Sequence, residues 1–326
     1  MKIYTKPLSI LLATISLLGF GMAAHADSTY PNKPIRLIVP LGAGGPTDVQ
    51  YRKLANLASK ELGQPIIIEN RPGAGTTLGP STMAKIDKPD GYTVAAALVP
   101  LVRYPHMQKV AWDPLKDFSW IIGLGGYTFV FVVKADSPFK TMKDLIIHAK
   151  AHPNELSIGN VGAGTSQHLL GEAIGAYSGA KFTQVGFKSG PESMQNLLGG
   201  HITATVDAIG TVLPSVRSGD LRILMSFDEQ PRANLPSVPT AKSLGYDLEY
   251  PSPYGLVGPH GMSPQVVKRL HDAFKVAAES QENRELLDTI GQTYWYRSSA
   301  DYEAWAKNAF VSERAMLERS NLLMKN

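Results

Sequence analysis

Two glycine-rich stretches carry the clearest chemical signal in this 326-residue chain. Pro40-Leu41-Gly42-Ala43-Gly44-Gly45-Pro46-Thr47-Asp48 lies between an apolar strand-like run and an amphipathic helical segment, and Asn160-Val161-Gly162-Ala163-Gly164-Thr165-Ser166-Gln167-His168 repeats that arrangement. Glycine lets the backbone approach a ligand, and the free N–H groups and dipole of a helix start favour an anion. Leu41, Gly42, Gly45, Thr47 and Asp48 are therefore candidate ligand-binding residues in the first stretch. Asn160, Gly164, Thr165, Ser166 and His168 are their counterparts in the second, where Thr165 and Ser166 add hydroxyl donors. Each stretch also fits a capped turn, with Asp48 or Thr47 as N-cap of the first helix, and the two readings are compatible. His168 reads as a site or helix-start residue rather than a base.

Asp207 follows the strand-like run 202–206, which places a carboxylate at the edge where open α/β sheets bind ligands. It is either a ligand contact, direct or through water, or a brace for the adjoining turns. Arg103, after the run 93–98, fits pairing with a ligand carboxylate and fits a solvated loop arginine equally well. Tyr127 joins Arg103 as a further candidate.

Enzyme signatures are missing. Gly42-x-Gly44 and Gly162-x-Gly164 lack the third glycine of a dinucleotide loop, Gly73-x-Gly75 reaches Gly79 one place late, and no Gly-Lys-Ser/Thr follows any of them. There is no H-E-x-x-H, no G-x-S-x-G and no Cys–His pair. The histidines show no metal spacing, and His148 and His271 read as structural positions in amphipathic helices. No catalytic group, cofactor or metal is expected.

The elements that must position these loops alternate between strand and helix. The run 35–39, a helix 48–62 stopped by Gly63 and the run 66–69 form a βαβ unit, which implies a parallel sheet. Val49, Leu54, Ala55, Ala58 and Leu62 lie on the apolar face of that helix. A second block holds strands at 129–133, 156–158, 182–187, 202–206 and 221–225, with helices at 142–151, 166–177 and 191–198. In the helix 166–177, Leu169, Leu170, Ala173, Ile174 and Tyr177 point inward. A proline-rich segment then leads to 255–258 and to helices at 264–280, 281–290 and 299–321. Two doubly wound α/β lobes follow from this order, lobe 1 from 27–128 plus 254–326 and lobe 2 from 129–253. The strands 129–133 and 254–257 are expected to be the two crossings between them, and two crossings permit hinge bending.

Composition narrows the class. Lys2 and Lys6, the apolar run 8–22 and Ala24-His25-Ala26 form a signal-peptide pattern with cleavage expected after Ala26. The run is too short and too interrupted for a span of roughly 20 apolar residues. The chain has no cysteine, which excludes disulfides, thiol catalysis and a lipid-modified N-terminal Cys. A chain of this size buries about three-quarters of its unfolded surface and holds two domains without staples. The net charge of +4 is spread without a basic stripe, so no nucleic-acid partner is expected. A freely diffusing periplasmic monomer is the expected product.

The loops and their neighbours resemble the Bug-type (Bordetella uptake gene) receptors, the extracytoplasmic binding components of tripartite tricarboxylate transporters. The likeness runs through Tyr30-Pro31-Asn32-Lys33-Pro34-Ile35-Arg36, Gly44-Gly45-Pro46-Thr47-Asp48, Glu69-Asn70-Arg71-Pro72-Gly73-Ala74-Gly75 and Pro89-Asp90-Gly91-Tyr92-Thr93. It continues in Asp113-Pro114-Leu115-Lys116-Asp117-Phe118, Gly164-Thr165-Ser166-Gln167-His168-Leu169, Leu198-Gly199-Gly200 and Leu235-Pro236-Ser237-Val238-Pro239-Thr240. The resemblance implies a type II periplasmic-binding fold of two lobes that close on a small organic acid. It implies that loops 40–48 and 160–168 hold a carboxylate, partly through water, and that Asp207 defines the rest of the pocket. Family ligands span acidic amino acids, nicotinate-type rings, citrate-like acids and dicarboxylates. The implied partners are integral-membrane transporter subunits; a periplasmic sensing subunit using the same clamp is the alternative. Leu41-Gly42-Ala43-Gly44 and Arg103-Tyr104-Pro105 depart from the family pattern near the pocket, so the resemblance leaves the ligand open.

Overall fold

A computed structural model describes Met1 and residues 30–232, 235–248, 252–319 and 322–324. The signal-peptide pattern and the expected cleavage after Ala26 lie outside the described residues, apart from Met1.

The chain opens with β1 (Ile35–Val39), α1 (Pro46–Leu62) and β2 (Ile66–Asn70), then α2 (Leu78–Ile86), β3 (Thr93–Leu98), α3 (Pro100–Arg103) and β4 (Phe118–Tyr127). After Thr128 come β5 (Phe129–Lys134), α4 (Met142–Ala151), β6 (Ser157–Asn160), α5 (Ser166–Ser178), β7 (Thr183–Gly186), α6 (Gly190–Leu198), β8 (Ala204–Ala208), α7 (Ile209–Arg217) and β9 (Leu221–Ser226). It closes with β10 (Ser252–Pro259), α8 (Pro264–Glu279), α9 (Gln281–Thr289), β11 (Thr293–Arg297) and α10 (Ser299–Arg319).

Two sheets result. One has the order β11-β4-β10-β3-β1-β2 and the other β7-β6-β8-β5-β9. The β1–β2, β1–β3, β6–β7 and β6–β8 pairs are parallel, as βαβ connections require. Neither sheet is wholly parallel, however. β5 runs antiparallel to both β8 and β9, and β10 antiparallel to both β3 and β4. These are the strands expected from sequence to be the crossings. Each instead lies fully inside one sheet. The first crossing is the break at Thr128 between β4 and β5, and β10 begins just after 249–251, which lie outside the described residues.

Apolar side chains alternate between the faces of each strand, so both sheets are covered twice. Ile35, Leu37 and Val39 join one cluster with Leu54, Ala58 and Phe274, while Ile38 faces the other side with Met83 and Tyr302. In the second sheet Phe129, Phe131 and Val133 face one way, and Val130 and Val132 the other. α1 starts with Gly45 as N-cap and Pro46 in its first turn, and ends on Gly63 at φ 70°, a left-handed conformation that only glycine adopts without cost. Its buried face carries Tyr51, Leu54, Ala55, Ala58 and Leu62, whereas Val49 turns toward solvent. Tyr177, expected inward on α5, is half exposed and donates its hydroxyl to the Asp247 carbonyl. Its position near the end of the helix lets the ring slide off the core.

Candidate functional site

The carboxyl ends of β1, β3, β6 and β8 all open on one cleft between the sheets, with about 540 Å³ of space including its open mouth. The first turns of α1, α5, α6 and α7 reach it as Gly45 to Asp48, Thr165 to Gln167, Ser189 to Gly190, and Ala208 with Thr211. Helix first turns leave N–H groups without an intrahelical partner and carry the positive end of the dipole. Among the described residues, no lysine or arginine lines this cleft. Any attraction for an anion here has to come from backbone N–H groups and helix dipoles.

On the first wall, Leu41, Gly42, Gly45, Thr47 and Asp48 all line the cleft. Neither Thr47 nor Asp48 is the N-cap; Gly45 is. Asp48 instead reaches back, accepting from the Gly44 N–H at 3.0 Å, from Asn70 Nδ2 at 2.9 Å and from Arg52 Nε at 2.9 Å. Burial alone would raise its pKa, but these hydrogen bonds outweigh burial and hold it below the usual carboxylate range. Asp48 is a fixed anionic brace that shapes the loop. The Thr47 hydroxyl bonds to that of Tyr127, whose ring stacks on Phe129 at 5.4 Å and tilts against Tyr254 at 4.9 Å. Tyr127, a candidate from sequence, lines the cleft.

The second wall is organised differently from expectation. The Thr165 hydroxyl donates to the Gly162 carbonyl at 2.7 Å and accepts from the His168 N–H at 3.4 Å, so it caps α5. The Gly164 N–H donates to His168 Nδ1 at 3.2 Å. His168 is thus a helix-start residue with a neutral acceptor nitrogen. Burial, with Arg103 nearby, pushes its pKa below the usual histidine value, against the pull of Glu172. Asn160 Oδ1 accepts from the Gly162 N–H at 2.9 Å and holds the loop's entry. Asn160, Gly164 and His168 shape the loop from behind, whereas Thr165, Ser166 and Gln167 face the cleft. The Ser166 hydroxyl meets that of Ser252 at 3.0 Å. The Ser166 and Gln167 N–H groups, at the first two positions of α5, remain the ones without an intrahelical acceptor.

Asp207, the penultimate residue of β8, lies inside the cleft, 2% exposed. Its Oδ1 accepts from the Ala208 N–H at 2.7 Å, while Oδ2 is buried and makes no hydrogen bond of acceptable geometry; the Thr211 hydroxyl beside it likewise finds none. Burial pushes the Asp207 pKa up to about 7, with Ala208 and Thr211 opposing. A half-satisfied buried carboxyl facing a cleft is a polar contact in waiting. Gly190 abuts it closely, since a Cβ there would stand 2.8 Å from Asp207 Oδ1.

Arg103 does not line the cleft. It is wholly buried, donates from Nε to Glu313 at 2.6 Å and from Nη1 to the Gly164 carbonyl at 2.8 Å. It is neither a solvated loop arginine nor a pocket residue. Beside it the Tyr104 hydroxyl donates to the Ala163 carbonyl. Together with Gly42 N–H to the Lys188 carbonyl at 3.3 Å, these bonds join the lobes around the cleft.

Sequence reasoning passed over Ser189, Gly190, Thr211, Gln167 and Ser252 as lining residues. The Ser189-Gly190-Pro191 helix start held a usable signal, because a serine cap before proline opens a helix at the same sheet edge as the glycine loops.

Residues 50–322 match the tripartite tricarboxylate transporter family receptor. The chain is 43% identical over 310 residues to a UPF0065 protein in the gbd 5′ region of Cupriavidus necator, covering 95% of this chain and 94% of that one. It is 31% identical to Protein BugT of Bordetella pertussis, covering 89% of each. Among solved structures, one described as a periplasmic transporter aligns with a TM-score of 0.85 at 29% identity, covering 91% of this chain and 100% of that one. Two Rhodopseudomonas palustris proteins, MatC with bound malate and Rpa4515 with adipate, share the fold at 24% identity. MatC has a TM-score of 0.83, with coverage of 88% here and 100% there; Rpa4515 has 0.84, with 90% and 98%.

Proposed function

We propose that this chain, which belongs to the tripartite tricarboxylate transporter receptor family, captures a small organic acid in the periplasm and hands it to the membrane subunits of a tripartite transporter. It acts as a single chain, does no chemistry on its cargo, and reaches the periplasm by cleavage after Ala26. The observation that carries the reading is the convergence of four helix first turns on one cleft without a basic side chain in its lining. That field suits a carboxylate, held by the N–H groups of α1 and α5. The Asp207 end suits a second polar group, a hydroxyl that donates to it or a carboxylate that shares its proton. Neighbours of the same fold hold malate and adipate, acids with two such ends.

A thermal-shift screen of mono- and dicarboxylic acids, followed by calorimetry on the hits, tests this. Stabilisation by two-ended acids, and little by their amides, is the expected result. Stabilisation by cationic or uncharged solutes alone would overturn it.

A further inference from the structure

We propose that the C-terminal end of α4 is a surface binding site for zinc(II), held by His148, His152 and Glu155. Against the expectation of no metal spacing among the histidines, His148 and His152 stand one helical turn apart, which puts both rings on one face. Their centroids lie 4.6 Å apart. The third ligand is not legible from helical spacing, because the chain must first reverse. α4 ends at Ala151 with His152 as C-cap and Pro153 next. Asn154 then takes a left-handed φ of 65°, and its N–H donates to the Lys181 carbonyl at 3.0 Å. That turn returns Glu155 to the two rings. Its Oε1 lies 2.9 Å from His148 Nε2 and its Oε2 3.4 Å from His152 Nδ1.

One donor atom from each of the three side chains falls within 4.8 Å of the other two. A tetrahedral zinc with bonds of about 2.0–2.2 Å places its ligand atoms roughly 3.3–3.5 Å apart, so side-chain rotation alone brings this set to coordinating distance. Two imidazoles and one carboxylate suit zinc, whereas calcium and magnesium take oxygen-rich sets. The Phe139 ring packs edge-on against His148 at 5.3 Å and fixes it from one side. All three side chains keep a solvent-facing surface, which leaves the fourth position to water or to a donor from another molecule. Glu155 precedes β6 while the cleft lies beyond the other end of that strand. The site shares no residue with the cleft.

Titration of tag-free protein with zinc chloride, by calorimetry and against a chromophoric zinc indicator, tests the site. One equivalent per chain is expected. His152→Ala and Glu155→Gln should each weaken binding at least about tenfold, the cost of losing even an outer-shell partner of a metal. His201→Ala should leave binding unchanged. Cobalt(II) in place of zinc should give visible absorption of tetrahedral type, lost in both variants. Because both side chains are partly exposed, the variants should fold, which circular dichroism checks. Absence of saturable binding, or an affinity that survives both substitutions, overturns the proposal.

Discussion

The guanidinium of Arg103 donates to the backbone carbonyl of Gly164 in the other lobe, 2.8 Å away. Glu313 on α10 holds the same side chain from behind at 2.6 Å. A residue whose type suggested a ligand counter-charge thus ties lobe to lobe, and the anion field is left to backbone groups.

Arg103→Met should therefore act on stability and closure. Removing one partner of a buried ion pair costs roughly 3–5 kcal/mol because the other charge stays buried. Adding Glu313→Leu should recover part of that loss without restoring the bond to Gly164. Denaturant unfolding of the single and double variants measures both. If Arg103→Met leaves stability unchanged, the clamp carries no energy.

Closure can be blocked from the opposite side. A Cβ at Gly210 would overlap the Ile290 carbonyl, where the first turn of α7 meets the other lobe. Alanine is the better helix former, so Gly210→Ala should fold. The variant should nevertheless hold the lobes apart, giving a larger radius of gyration in small-angle scattering with the ligand present. Each 1.4 kcal/mol of lost closure energy weakens binding about tenfold. A wild-type scattering profile and affinity would show that this contact does not govern closure.

Asp207 should give stability a distinctive pH dependence. Its folded pKa is raised to about 7, against about 3.9 for an unfolded aspartate. The folded chain keeps a proton that the unfolded chain releases. Its contribution is therefore fully present below about pH 4 and is lost as pH rises through about 7. Asp207→Asn cannot ionise, so it should gain on wild type across that window, by on the order of 4 kcal/mol at most, then level off. Unfolding curves that stay parallel from about pH 5 to about pH 8 would contradict the raised pKa.

An element of this chain is legible in the sequence where its signal is local. β1, α1 and β2 were legible because apolar spacing and Gly63 mark them within one short window. β4 was not, because Gly123, Gly125 and Gly126 interrupt the run of β-favouring side chains. In the fold Gly123 and Gly125 make room for aromatic neighbours: a Cβ there would strike Trp295 or Tyr254. β11 is hard to read because it is short, partly exposed and, among the described residues, an edge strand paired with β4. The two glycine loops were found, yet the role of each side chain inside them was not. Thr165 looks like a ligand hydroxyl until its bonds to Gly162 and His168 are seen. Arg103 could not be placed from sequence at all, since both of its named partners are more than sixty residues away.

The same bonds separate capping from binding at the start of α5. Thr165→Val should lower stability by roughly 0.5–2 kcal/mol through the lost cap, while the ligand still meets the Ser166 and Gln167 N–H groups. Thermal melts with calorimetry on the same sample read both effects. Affinity falling as steeply as in a backbone-donor variant would place the Thr165 hydroxyl on the ligand.

Calorimetric titration of Ser166→Pro with the acid that most stabilises the wild type is the most direct test of an anion held by helix starts. Proline at the first helical position keeps the helix and deletes one N–H, together with the hydroxyl that meets Ser252. One charge-assisted hydrogen bond contributes roughly 1.5–3 kcal/mol. Affinity should therefore fall about 10- to 150-fold, and Ser166→Ala, which loses only the hydroxyl bonded to Ser252, should not reproduce that fall. Wild-type affinity in a folded Ser166→Pro protein would contradict the reading and move the carboxylate away from α5.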